Sequence, residues 1–120
     1  HTNSLAGLVP VPLQGPYCAA KAATKMLIDT CRLEFAEFGI RFVTVHPGFV
    51  ATEATADDGM PAPMEISEAE AAARIVAAIE ALRAQTLFPL PMAMLVRLAR
   101  VLPRTLREAI QKRDVPSPEE

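Results

Sequence analysis

Apolar residues at Ala20, Ala23, Leu27, Cys31, Phe35 and Phe38 recur at steps of three and four, the period of one helical face. The spacing predicts a helix from about Tyr17 to Phe38, stopped by Gly39, a residue suited to the left-handed position after a helix. Ile40 to His46 is rich in β-branched residues and bounded by Gly39 and Pro47, which predicts a buried parallel strand. Helical spacing returns at Ala72, Ile75, Val76, Ile79 and Leu82, marking a core face. This stretch lies behind Ser67 and Glu70, which form a capping box, and the helix is expected to reach about Arg83. Thr86 to Leu90 reads as a short last strand cut off by Pro89 and Pro91, and Met92 to Leu102 and Arg104 to Arg113 as helical pieces split at Pro103. Two stretches lack either period. Residues 5–16 form a loop punctuated by Pro10, Pro12 and Pro16. Residues 53–66 form a longer one, of the kind that serves as a lid or stays disordered.

Composition narrows the function classes. At 120 residues and 51% apolar content the chain allows one domain with a buried core. A net charge of −2 argues against a nucleic-acid partner, and no apolar run approaches the length of a membrane span. Cys18 and Cys31 fall on one predicted helix, about 20 Å apart at 1.5 Å rise per residue, beyond disulfide reach. They read as reduced packing residues of a cytoplasmic protein. His1 and His46 have no partners at a metal-ligand spacing, so no metal site is expected. Residues 53–70 carry six acids and no Lys or Arg, whereas Met92 to Arg113 carry six Lys/Arg against Glu108. A basic amphipathic stretch can lie on an anionic membrane surface. More often it is a helix packed on its own protein with a solvated outer face, and that is the expectation here.

The chemistry concentrates around one tyrosine. Tyr17 and Lys21 stand four residues apart, so on a helix they share a face. A phenol with a reference pKa of about 10 is a poor proton donor or acceptor at neutral pH, and a neighbouring cation favours its ionised form. Ser4 lies thirteen residues upstream of Tyr17 and offers a hydroxyl to hold a substrate oxygen beside the phenol. Pro47-Gly48 follows the predicted strand and turns the chain at its carboxyl end, where open α/β sheets bind ligands.

The run Asn3-Ser4-Leu5-Ala6-Gly7, the Tyr17 to Lys21 motif and His46-Pro47-Gly48-Phe49-Val50-Ala51-Thr52 together resemble the short-chain dehydrogenase/reductase family, compact single-domain type, over roughly residues 1–85. Asn3 stands where many relatives carry a first serine. The resemblance implies an α/β fold, the C-terminal half of a Rossmann-like doubly wound parallel sheet over residues 1–91, with a basic helical tail over 92–120. It implies NAD or NADP as cofactor and hydride transfer between a small-molecule carbonyl and an alcohol. Ser4, Tyr17 and Lys21 would be catalytic. Tyr17, Lys21, Pro47, Gly48, Val50 and Thr52 would meet the cofactor, and Phe49, Met60 and Met64 would touch an apolar substrate. The small residues Ala19, Ala22 and Ala23 on the first helix suit a homo-oligomer interface or, equally, packing within one subunit. The five glycines, Gly7, Gly15, Gly39, Gly48 and Gly59, are too scattered for the phosphate loop of a first βα turn. The chain is therefore expected to be the C-terminal half of a longer enzyme, incomplete by itself. The alternatives are a non-catalytic fragment acting only in helix-mediated association and, ranked lower, an extended-type sugar-nucleotide epimerase.

Overall fold

The structure, a computed structural model, describes residues 1–53, 55–56, 59 and 62–115. A 3-10 turn at Leu5–Gly7 leads to helix α1 (Gly15–Glu34), a second 3-10 turn (Ala36–Phe38) and strands β1 (Thr44–Pro47), β2 (Val50–Ala51) and β3 (Ile66–Ser67). Helix α2 (Glu68–Glu80), strand β4 (Gln85–Phe88), helices α3 (Leu90–Val101) and α4 (Arg104–Gln111) and a last 3-10 turn (Lys112–Asp114) complete the order. β1 pairs in parallel with β4, from Thr44↔Gln85 to Pro47↔Phe88. On its other edge β1 runs parallel to residues 1–3: Thr2 bridges Val45, the Asn3 N–H donates to Val45 O at 2.8 Å and the Val45 N–H to His1 O at 3.0 Å. Parallel strands joined through helices make this a partial Rossmann-like α/β arrangement, as expected. β2 and β3 form a second parallel pair, Val50↔Ile66.

α1 begins two residues before the expected Tyr17, because Pro16 is tolerated in a first turn. It ends at Glu34, and the chain tightens through Ala36–Phe38 to Gly39 at φ 71°, the left-handed stop. β1 is shorter than the predicted Ile40–His46. A strand exists only where it has ladder partners, and these begin at His1 and Ala84, whose carbonyls accept from Val45 and Thr44. The last strand likewise runs from Gln85 to Phe88 rather than from Thr86 to Leu90.

Two predicted core faces are corrected. Along the predicted α1 stripe only Cys31 is half-buried: Leu27 is 61% exposed, Phe38 in the turn beyond the helix 74%, and no residue of the helix is buried. The face toward the sheet is polar instead. Asp29 pairs with Lys25 and Arg32 and accepts from Gln85 Nε2, while Arg32 donates to Phe42 O, Thr44 Oγ1 and Ala84 O. On α2 the buried positions are Ala71 and Ala78 with Ile75 beside them, whereas Ala72, Val76, Ile79 and Leu82 face out. The helix stops at Glu80, three residues short of the expected end. Ser67 caps it, its Oγ accepting from the Glu70 N–H at 3.2 Å, while the Glu70 carboxylate pairs with Arg74 instead of closing the expected capping box. The core is small: Val45, Ile66, Ala71, Ala78 and Phe88, lined by Val43, Val50 and Ile75. Pro103 separates α3 from α4, and α4 is held to the 10–12 segment by Gln111 Nε2 donating to Pro10 O at 2.7 Å. Among the described residues no helix is long and apolar enough to cross a membrane.

The polar seam is expected to be the stability anchor of α1. Arg32→Ala removes charged hydrogen bonds to two carbonyls and a hydroxyl. It should cost about 2–3 kcal/mol in denaturant titration of the full-length protein. Burial by itself would raise the Asp29 carboxyl, but hydrogen bonds from Lys25 and Arg32 outweigh it and hold the group below its ordinary value. A lowered carboxylate contributes stability above its unfolded value of about 3.9 and loses it as pH falls through the folded value. The stability gap between the wild type and Asp29→Asn should therefore be full near neutral pH and close in acid.

Candidate active site

Three segments meet at the carboxyl ends of the parallel strands: Asn3-Ser4 after residues 1–3, Pro47-Gly48 at the end of β1, and Pro89 after β4. The Gly48 N–H donates to Phe88 O at 2.7 Å. A Cβ on Gly48 would lie 3.2 Å from Pro89 Cδ and 3.4 Å from Leu5 Cδ1, so all three strand ends are in contact. Open α/β sheets bind ligands along such an edge.

Tyr17 and Lys21 occupy the first turns of α1 on a shared face, with Lys21 Nζ 5.6 Å from the centroid of the Tyr17 ring. The phenol is 47% exposed, and the lysine is half-buried. Ser4 is in extended conformation and caps the Leu5–Gly7 turn, its Oγ accepting from the Ala6 N–H at 3.1 Å. That bond uses a lone pair and leaves the Ser4 O–H free to donate.

Two further residues belong to this edge. The side chain of Asn3, 3% exposed, reaches both the Ser4 and the Lys21 segments: Nδ2 donates to Lys21 O at 3.0 Å, and Oδ1 accepts from the Ser4 N–H at 2.8 Å. Nδ2 also lies 3.1 Å from His1 Nε2. His46 is fully buried, with Nδ1 3.3 Å from Ser4 O. A carbonyl only accepts, so Nδ1 carries the proton of a neutral imidazole. Burial pushes the His46 pKa below the ordinary histidine value, and the bond to Ser4 only partly opposes it. In the sequence His46 stands as the last residue of a strand, the first of a family-like run and a histidine without metal partners, and Asn3 as the residue in the place of a first serine. The available signals were their places, Asn3 next to Ser4 and His46 next to Pro47-Gly48.

Val50, Thr52 and Thr55 engage one another in a turn. Thr55 Oγ1 donates to Val50 O at 3.2 Å and accepts from the Thr52 N–H at 3.0 Å, and the two threonine hydroxyls lie 3.2 Å apart. Phe49 is half-buried, with its carbonyl accepting from the Ile66 N–H at 3.0 Å. Met64 is 45% exposed, and Met60 lies outside the described residues. An apolar groove of about 310 Å³ runs between the 6–10 segment and α1, lined by Ala6, Gly7, Leu8, Pro10, Cys18 and Ala22 among others. Neither Phe49 nor Met64 lines it, so the expected substrate contacts and this groove are separate features.

Comparison with known proteins places these motifs in context. Residues 1–63 match the family described as short chain dehydrogenase. An uncharacterized oxidoreductase of Myxococcus xanthus is 31% identical over 111 residues, 92% of this chain and 44% of that protein. One from Mycobacterium tuberculosis is 35% identical over 106 residues, 87% of this chain and 42% of that protein. A cyclopentanol dehydrogenase of Comamonas is 38% identical over 55 residues, 46% of this chain and 22% of that protein. The chain thus spans less than half the length of each of these relatives.

Gly7 permits the contact between the Ser4 turn and α1. A Cβ there would lie 2.5 Å from Asn3 Oδ1 and 3.1 Å from the Lys21 carbonyl carbon. Helix backbone cannot yield to it, so Gly7→Ala is expected to destabilise the full-length protein by about 1–3 kcal/mol, measured by denaturant titration.

Proposed function

The chain belongs to the short chain dehydrogenase family, and on that premise we propose that it forms the proton-transfer half of an NAD(P)-dependent oxidoreductase interconverting a carbonyl and an alcohol. The observation that carries this reading is the Asn3 side chain, which bonds to both the Ser4 N–H and the Lys21 carbonyl and so ties the serine segment at the strand end to the turn of α1 that carries Tyr17 and Lys21. In reduction, Tyr17 gives its proton to the oxygen of the carbonyl as that oxygen gains charge. Ser4 donates its O–H to the same oxygen and holds it beside the phenol. The Lys21 ammonium, on the same helical face, stabilises the charge left on Tyr17. In oxidation Tyr17 takes the proton back.

A half-buried ammonium beside an exposed phenol is a donor set suited to the hydroxyls of a nicotinamide ribose, so the residues present fit that end of NAD or NADP. When bound, the cofactor supplies or accepts the hydride. Pro47, Gly48, Val50 and Thr52 would border its nicotinamide, with Phe49, Met60 and Met64 toward the substrate. For Thr52 this role requires its amide or hydroxyl to leave Thr55.

A second reading, association through helix faces, is favoured by the exposed Leu27 and Leu33 of α1 and Phe38 in the turn beyond it. The two readings are compatible, because a homo-oligomer of the full-length enzyme would cover these side chains. On α3, Leu98 and Val101 are exposed beside the exposed Arg97 and Arg100, the pattern of a peripheral contact with anionic lipid. Sedimentation of the full-length protein, alone and with phosphatidylserine vesicles, reads both. A dimer or larger without vesicles supports the oligomer, and salt-sensitive pelleting supports the lipid contact.

Turnover tests the catalytic assignment. Full-length protein should reduce members of a panel of cyclopentanone and longer-chain ketones with NADH or NADPH. Tyr17→Phe should cut that turnover by a factor of about 10² or more. A Tyr17→Phe protein with near-normal turnover rules the assignment out.

A further inference from the structure

We propose that Asn3 is the positioning residue that sets Ser4 against Tyr17 and Lys21, an inference that rests on the oxidoreductase reading above. Ser4 and Lys21 come from two separate elements seventeen residues apart, and the reaction needs their side chains in one fixed relation. One buried amide spans the gap. Its oxygen takes the Ser4 N–H at 2.8 Å, and its nitrogen gives a hydrogen to Lys21 O at 3.0 Å. The backbone of Asn3 is itself fixed, its N–H bonded to Val45 O in the β1 ladder at 2.8 Å. Asn3 therefore refers both catalytic segments to the sheet.

The chemistry selects this side chain. The site needs an acceptor toward an N–H and a donor toward a carbonyl on a single short, planar group, and asparagine supplies both. The amide orientation follows from its partners: reversed, it would set oxygen against Lys21 O and NH₂ against the Ser4 N–H. His1 Nε2, 3.1 Å from Nδ2, is placed to take the second amide hydrogen. An aspartate keeps the acceptor but opposes oxygen to oxygen at Lys21, and an alanine keeps neither bond. A serine is too short to make both. Gly7 belongs to the same device, because a side chain there would lie 2.5 Å from Asn3 Oδ1. Misplacing a catalytic group by about 1 Å can cost about 10²-fold in rate, so the loss of this tie should register in turnover rather than in binding.

The test uses the full-length protein with NADH or NADPH and the ketone of the panel that it reduces fastest. Asn3→Asp and Asn3→Ala should lower kcat by about 10- to 100-fold. KM for the ketone and the Kd for NADH or NADPH, read by nucleotide fluorescence, should change by less than about threefold, because the Asn3 side chain is buried against His1, Ser4 and Lys21. Asn3→Ser, able to keep one of the two bonds, should fall between these variants and the wild type. A kcat that stays within about twofold of wild type in Asn3→Ala and Asn3→Asp overturns the proposal. So does a loss in which kcat follows the folded fraction measured by thermal melting. Where Asn3→Ala and Asn3→Asp do not fold, Asn3→Ser decides: a wild-type kcat overturns the proposal, and a lowered kcat with unchanged KM and Kd supports it. Retained turnover in Tyr17→Phe marks a different failure, that of the catalytic reading itself.

Discussion

β1 is held on both edges, by residues 1–3 on one side and by β4 on the other, and the three parallel segments therefore finish along one line. Thr44, Val45 and His46 are buried at the centre of this ladder. Because the strands run the same way, Ser4, Gly48 and Pro89 emerge together at their carboxyl ends. The candidate chemistry depends on that alignment. Were the pairing shifted by one residue, the carbonyl of Val45 would no longer receive Asn3, and Ser4 would be carried off its place beside α1.

α1 reverses the usual arrangement of an amphipathic helix. Asp29 and Arg32 face the sheet while Leu27 faces away, so directional polar bonds join the helix to the sheet. Hydrogen bonds are directional where hydrophobic contact is not, and they fix the helix in rotation as well as in distance. Tyr17 and Lys21 lie at the start of the same helix. The Asp29–Arg32 seam near one end and the Asn3–Lys21 bond near the other thus set where the phenol and the ammonium point. The helix that carries Tyr17 and Lys21 is thus oriented by polar contacts toward both of its ends.

Several features were legible without coordinates because they are local. Ser67 and Glu70 sit at a helix start, Pro103 breaks two helices, and Gly39 takes the left-handed stop. The Tyr17–Lys21 spacing places two side chains on one face of any helix. Other features were not legible because they are contests between neighbours. The apolar residues of α1 and α2 identify a stripe, but the stripe meets this chain's sheet only if nothing else binds the opposite face more strongly. On α1 the Arg32 bonds to Phe42, Thr44 and Ala84 win that contest, and on α2 the small Ala71 and Ala78 permit closer packing than Val76 and Ile79. Strand limits likewise depend on where partners begin, which Ile40–His46 alone does not encode.

The sequence by itself determined the chemistry on offer, a serine, a tyrosine and a lysine at spacings that resemble one enzyme family, because reactive groups and helical period are properties of the residues and their local backbone. Only the tertiary structure decided which residues join them. Asn3 and His46 become part of the site through bonds across 18 and 42 residues of chain, to Lys21 O and Ser4 O. Such bonds form between groups that the fold brings together; the places of Asn3 beside Ser4 and His46 beside Pro47 mark the neighbourhood but not the partners.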